Sequence, residues 1–80
     1  MPLYYFHIYN DAGHATDGEG QDLPDMEQVR FQAVQGIRGF LASQLQFEGK
    51  LDYRGRVEVL DESGATVLNL PFEQCFETIR

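Results

Sequence analysis

From Met26 to Leu41 the apolar residues recur at steps of three and four. Met26, Val29, Ala33, Ile37, Phe40 and Leu41 fall on one stripe, with Val34 beside it. That spacing predicts an α-helix with one buried face over residues 26–46. Its start is well marked. Leu23-Pro24-Asp25 closes an extended segment, Asp25 is a good N-cap, and Gln28 stands three residues on, where a capping box needs it. Asp25 and Glu27 suit the positive end of the helix dipole. Gly49 is a natural stop. Leu45 lies at the edge of the stripe, and Gln44 falls inside it where leucine is expected.

On either side of this segment the period changes to two. Residues 4–9 are aromatic or β-branched except His7, which is strand composition. Alternation puts Tyr4, Phe6 and Ile8 on one face and Tyr5, His7 and Tyr9 on the other. Residues 10–20 are rich in turn formers and read as a loop, with turns at Asn10-Asp11 and Asp17-Gly18. A short second strand, about Gly20 to Leu23, pairs back on the first. After a loop over 50–55, a strand from Arg56 to Asp61 points Val57 and Val59 inward. A hairpin loop with Gly64 at its left-handed position leads into a return strand, Thr66 to Leu70. Leu68, Leu70 and Phe72 share a face, and Pro71 ends the pairing or marks an edge. The pattern predicts one α+β domain over residues 1–80. Its order is β-β-α-β-β, with a small antiparallel sheet packed on one long amphipathic helix.

Composition narrows the classes. With 42% hydrophobic and 24% charged residues the 80-residue chain is globular stock, not a disordered tail. No apolar run reaches the roughly 20 residues that a membrane helix needs, and the N-terminus lacks a secretory pattern. One cysteine, Cys75, cannot form an internal disulfide, which points to a reducing cytoplasm. Net charge is -7, and residues 1–29 hold Asp11, Asp17, Glu19, Asp22, Asp25 and Glu27 with no lysine or arginine. Nucleic acid is disfavoured as a partner, since its binders gain by releasing counterions to basic side chains. The acidity either keeps a small domain in solution or aims an acidic face at a basic protein.

Candidate chemistry is thin. Asp11, Asp17, Glu19 and Asp22 are oxygen ligands of the kind calcium takes, but EF-hand spacing is absent. A solvated acidic loop feeding a helix start is the better reading. His7, His14 and Cys75 fall short of a zinc set, and a Cys75–His7 nucleophile pair lacks an orienting third group. Ser43 and Ser63 have no elbow-like glycine context. Gly18-x-Gly20 lacks the rest of a dinucleotide fingerprint. Gly36-Ile37-Arg38-Gly39 matches the Gly-x-x-Gly of RNA-binding KH domains, yet it lies inside the helical stripe. There the two glycines give room for a strand or second subunit to approach. No catalytic, cofactor-binding or metal residue is assigned. One feature stands out: a single helix covers one side of a sheet, so Tyr5, His7 and Tyr9, joined by Leu60, form an uncovered aromatic face unless the tail from Phe72 to Ile79 folds over it. Such faces make contact with something.

Three blocks carry a resemblance. They are Met1-Pro2-x-Tyr4-Tyr5-Phe6-His7-Ile8; Asp17-x-Glu19-Gly20-x-Asp22-Leu23-Pro24-Asp25-Met26-Glu27 with Arg30, Ala33 and Arg38; and Gly55-Arg56-Val57-Glu58-Val59 through Asp61-Glu62-x-Gly64 to Leu70-Pro71-Phe72. In this order they resemble a family of short bacterial domains of unknown function, frequent in rhizobia and other alphaproteobacteria. The chain departs from the family pattern at Phe31, Gly36 and Gly39. The resemblance implies the β-β-α-β-β order, a small residue at the place of Cys75, and no activity. A weaker likeness is to antitoxin domains of the HicB sort, which also run from short strands through an acidic turn into a helix. The expectation is a non-enzymatic interaction module in the cytoplasm, a homodimer or a partner of another protein, meeting it through Tyr5, His7, Tyr9 and Leu60 or through a sheet edge. The alternative is an antitoxin-like or regulatory domain whose acidic half binds a basic protein.

Overall fold

A computed structural model of the chain describes residues 2–11 and 13–79. The alternating aromatic segment forms strand β1 (Leu3–Asn10), flanked on one edge by β2 (Gly13–Ala15) and β3 (Gln21–Asp22). Helix α1 (Met26–Glu48) follows, then β4 (Gly55–Leu60), β5 (Thr66–Pro71) and a 3-10 turn, Phe72–Gln74. The order across the sheet is β2-β1-β4-β5, with β3 also beside β1, and every pairing is antiparallel. The α+β class and the single long helix are as the patterning predicts. The additional strand is β2, inside the segment read as loop. All three of its residues are exposed, so it carries no alternation and exists through backbone pairing alone. Ala12, in the same segment, lies outside the described residues.

The helix runs from 26 to 48, two residues past the predicted end. Asp25 caps it through a bond from the Gln28 backbone N–H to Oδ1 at 2.9 Å, and Gly49 stops it at φ 68° with its N–H donating to Leu45 O. Val29, Ala33, Ile37 and Leu41 are buried against Val57, Val59 and Leu70, joined by Leu23, Phe72 and Cys75. Phe6, Ile8 and Phe40 pack at the border of this core. Met26, placed on the stripe by its spacing, is 42% exposed, and the buried face begins at Val29. Gln44 is in the stripe for a polar reason: its Oε1 accepts from the Asp52 backbone N–H at 2.6 Å, tying the following loop to the helix.

The tail lies on the helix side of the sheet. Phe72 is fully buried and tilts against Phe40 at 5.8 Å between centroids, Cys75 is buried, and Arg38 Nε donates to Cys75 O at 2.6 Å. It therefore does not cover the other side of the sheet. The room expected beside Gly36 and Gly39 is not used by any strand: a Cβ at either glycine meets nothing within 4 Å. Each glycine only costs the helix propensity, about 1 kcal/mol relative to alanine. Gly36→Ala and Gly39→Ala should each raise unfolding free energy by up to about 1 kcal/mol, read from urea unfolding curves. A loss of stability in either would contradict the open environment described.

Candidate functional site

Cross-strand register brings the predicted interface residues together. Phe6 pairs with Val59 and Ile8 with Val57, facing the core, so their neighbours face the other way. Tyr5 is opposite Leu60, His7 opposite Glu58 and Tyr9 opposite Arg56. On this outer face Tyr5, His7, Tyr9, Glu58 and Leu60 are half-buried and Arg56 is exposed. At one end three planar groups from three strands are layered. The His14 ring stacks on Tyr9 at 5.7 Å between centroids, and the Arg56 guanidinium lies over the same ring at 4.4 Å. A cation over a tyrosine face adds about 0.5–1 kcal/mol at an exposed site and fixes the Tyr9 ring.

The other end of the face is framed by the chain between β2 and β3. β1 pairs Ile8 with Ala15 and Tyr4 with Gln21. Three residues of β1 thus stand opposite five of the returning segment, residues 16–20. This is a two-residue bulge, and Asp17 fills it. Its Oδ2 accepts from the Phe6 N–H at 3.2 Å, where a strand would offer a carbonyl, and its Oδ1 accepts from Glu19 and Gly20 N–H, each at 3.1 Å. The Asp17 N–H in turn donates to His7 Nδ1 at 3.1 Å, so a neutral His7 carries its proton on Nε2. Partial burial pushes the Asp17 carboxyl up, but the bonds from the Gly20, Phe6 and Glu19 amides outweigh it and hold it below its ordinary value. Gly20, at φ +77°, lets the turn pass close over Tyr5: a Cβ there would stand 3.0 Å from the tyrosine ring.

The remaining candidates are dispersed. Asp17 is committed to backbone amides, and Asp11 pairs with Arg54 at 3.0 Å, which also grips Asp52 through two bonds at 2.9 Å. The Arg54 bonds hold half-buried Asp52 down at about 2. Among the described residues no three His, Cys, Asp or Glu side chains gather as a metal site. Cys75 and His7 lie on opposite sides of the sheet, and burial pushes the Cys75 thiol up despite Arg38 and Arg30. No helix of the described residues is long and apolar enough to cross a membrane.

Two features escaped the sequence reading. One is a cleft of about 820 Å³ between the helix end and the following loop, lined by Phe40, Gln44, Glu48, Lys50 and Tyr53 among others. The other is a run of exposed apolar side chains along the helix flank, Phe31 and Leu45 at 53% and Leu51 at 45%. Phe31 and Leu45 carried a signal, since they stand on one face together with Val34 and Ala42. Leu51 lies in a loop and carried none.

These features define a small α+β domain with one helix-covered sheet face and one aromatic, mixed-charge face. The family model described as a domain of unknown function (DUF6894) matches residues 3–73, from β1 to the 3-10 turn. The chain belongs to this family. No curated protein and no solved structure matches it.

Proposed function

We propose that this domain is a non-enzymatic interaction module that self-associates through the outer face of its sheet. The observation that carries the reading is the placement of Tyr5, His7, Tyr9 and Leu60 on the side that neither helix nor tail covers. Two further features support a second copy as the occupant. Arg56 and Glu58 form the row beside Tyr9 and His7 on this face, so a two-fold axis passing between them brings each against its opposite in the partner. The β5 edge is a poorer interface, because β5 is bulged opposite Val59/Leu60 and its regular register, Leu68 to Pro71, ends in a proline that has no N–H to donate. Tyrosine is enriched at such surfaces for its large, rigid contact area. The buried lone thiol suits a reducing compartment, the bacterial cytoplasm.

The test is sedimentation across micromolar concentrations. A concentration-dependent dimer is expected, and Leu60→Lys should weaken it by about tenfold or more, or about 1.4 kcal/mol, with unchanged circular dichroism. A monomer at high micromolar concentration sinks the homodimer. The antitoxin-like alternative rests on exposed Glu19, Asp22, Asp25 and Glu27 around the helix start. It predicts instead a heterocomplex with a small basic protein that dissociates as salt rises.

A further inference from the structure

The core stripe of α1 is not its only row. Phe31, Val34, Gln35, Arg38, Ala42 and Leu45 also recur at steps of three and four, along the flank beside the tail. Two hollows lie along this row. One, of about 340 Å³, runs past Phe31 and Val34 between Arg30 and Arg38. The other, of about 150 Å³, has Ala42 and Leu45 on the helix and Leu51 and Phe76 as its far wall. Arg38 lines both, so the two shallow hollows adjoin at that side chain and together make one discontinuous groove along the flank. From Phe31 to Leu45 the helix advances roughly 21 Å, about four turns.

We infer that this groove is a docking site for an amphipathic helix of another protein, one whose apolar anchors are flanked by carboxylates. The apolar walls call for leucine-like anchors at helical spacing, and the length matches a helix of about four turns. Charge supplies the second requirement. The chain is at -7 with 6 lysines and arginines in all, yet this groove holds Arg30 and Arg38 against the single carboxylate of Glu27. The Arg38 guanidinium is anchored between the hollows by its Nε bond to Cys75 O, so little ordering remains to be done when a carboxylate arrives. Charge complementarity selects an acidic partner and disfavours a basic one. The groove lies on the helix side, away from Tyr5 and His7, so this inference stands apart from the dimer reading.

The probe is a capped synthetic peptide of about five helical turns, with leucine along one stripe and glutamate on both flanks. A second peptide carries lysine at every glutamate. Fluorescence polarisation on the full chain should show micromolar binding of the glutamate peptide and about tenfold or weaker binding of the lysine peptide. Arg30→Glu/Arg38→Glu should reverse that preference, and Leu45→Lys should weaken both. Arg30→Glu alone leaves the tail bond intact and should shift the preference in the same direction if the double variant fails to fold. Equal binding of the two peptides, indifference to Arg30→Glu, or no binding at about 1 mM overturns the inference. Binding of anionic phospholipid vesicles without binding of the glutamate peptide also overturns it, and marks the flank as membrane-facing.

Discussion

Gly55→Ala is expected to destabilise the domain by about 3 kcal/mol or more, the sum of backbone strain and overpacking. Gly55 opens β4 at φ +152°, a conformation that a side chain rarely takes. A Cβ there would run into the Tyr9 carbonyl oxygen and stand 2.8 Å from Phe72 Cε2. Neither neighbour can move cheaply. Tyr9 belongs to the ladder in which Asn10 pairs with Gly55. Phe72 is fully buried and braced against Phe40. A chain of this size holds only about 4–12 kcal/mol of stability, so the melting temperature should fall by about 15 °C or more. Gly49→Ala is the control. Its φ is +68°, but a Cβ meets nothing within 4 Å, so it should cost only about 1 kcal/mol. Similar losses for the two variants would show that the contact with Phe72 contributes nothing.

Replacing Asp17 has the second largest expected effect. Asp17→Ala strands three backbone N–H groups that now donate to one carboxylate. Bonds to a charged acceptor contribute about 1.5–3 kcal/mol, and water can reach part of this turn, so a loss of about 2 kcal/mol is expected. Asp17→Asn keeps an acceptor and should lose less. Acid separates the charge from the shape. The folded-state value of Asp17 lies below its unfolded one, so its stabilisation is fully present above the unfolded value, near 3.9. It is lost as pH falls through the lower folded value. Asp52, held at about 2 by Arg54, and Asp61, lowered by the Ser63 hydroxyl and the Ala65 amide, also lie below the ordinary carboxylate value. The informative quantity is therefore the difference between wild type and Asp17→Asn, measured by urea unfolding from pH 6 down to about 2. That difference should shrink with acid, and a constant gap would assign the effect to side-chain shape alone.

These two residues mark where sequence patterning reaches and where it stops. The helix, the closing hairpin and the inward positions of β4 were legible because burial on one side imposes a period on the chain. The shared face of Tyr5, His7, Tyr9 and Leu60 followed from the same alternation. β2 was not legible, since its exposed residues Gly13 to Ala15 carry no period. The part played by Asp17 was hidden too. An aspartate before a glycine marks a turn, but nothing local says that the turn sits opposite Phe6. Gln44 looked like a flaw in the stripe until the Asp52 amide was seen to need an acceptor. The side of the sheet taken by the tail depends on where Phe72 and Cys75 find room, a property of the assembled core. The flank groove was half visible in Phe31 and Leu45. Its far wall comes from Leu51 and Phe76, which no periodicity connects to the helix.

The central place of β1 has a consequence for the chain as it is made. One of its edges is closed early by β2 and β3, which follow directly. The other waits for β4, whose Leu60 pairs with Tyr5 and whose Gly55 pairs with Asn10. At roughly 5–20 residues per second on the ribosome, that gap lasts about 3–10 s. Throughout it an aromatic strand with an open edge stands ready to pair with a neighbouring nascent chain. The acidic stretch from Asp11 to Glu27 emerges within that same window and holds no positive charge. Like charge on the stretch that follows β1 makes two such unfinished chains repel each other, which opposes pairing of their open edges.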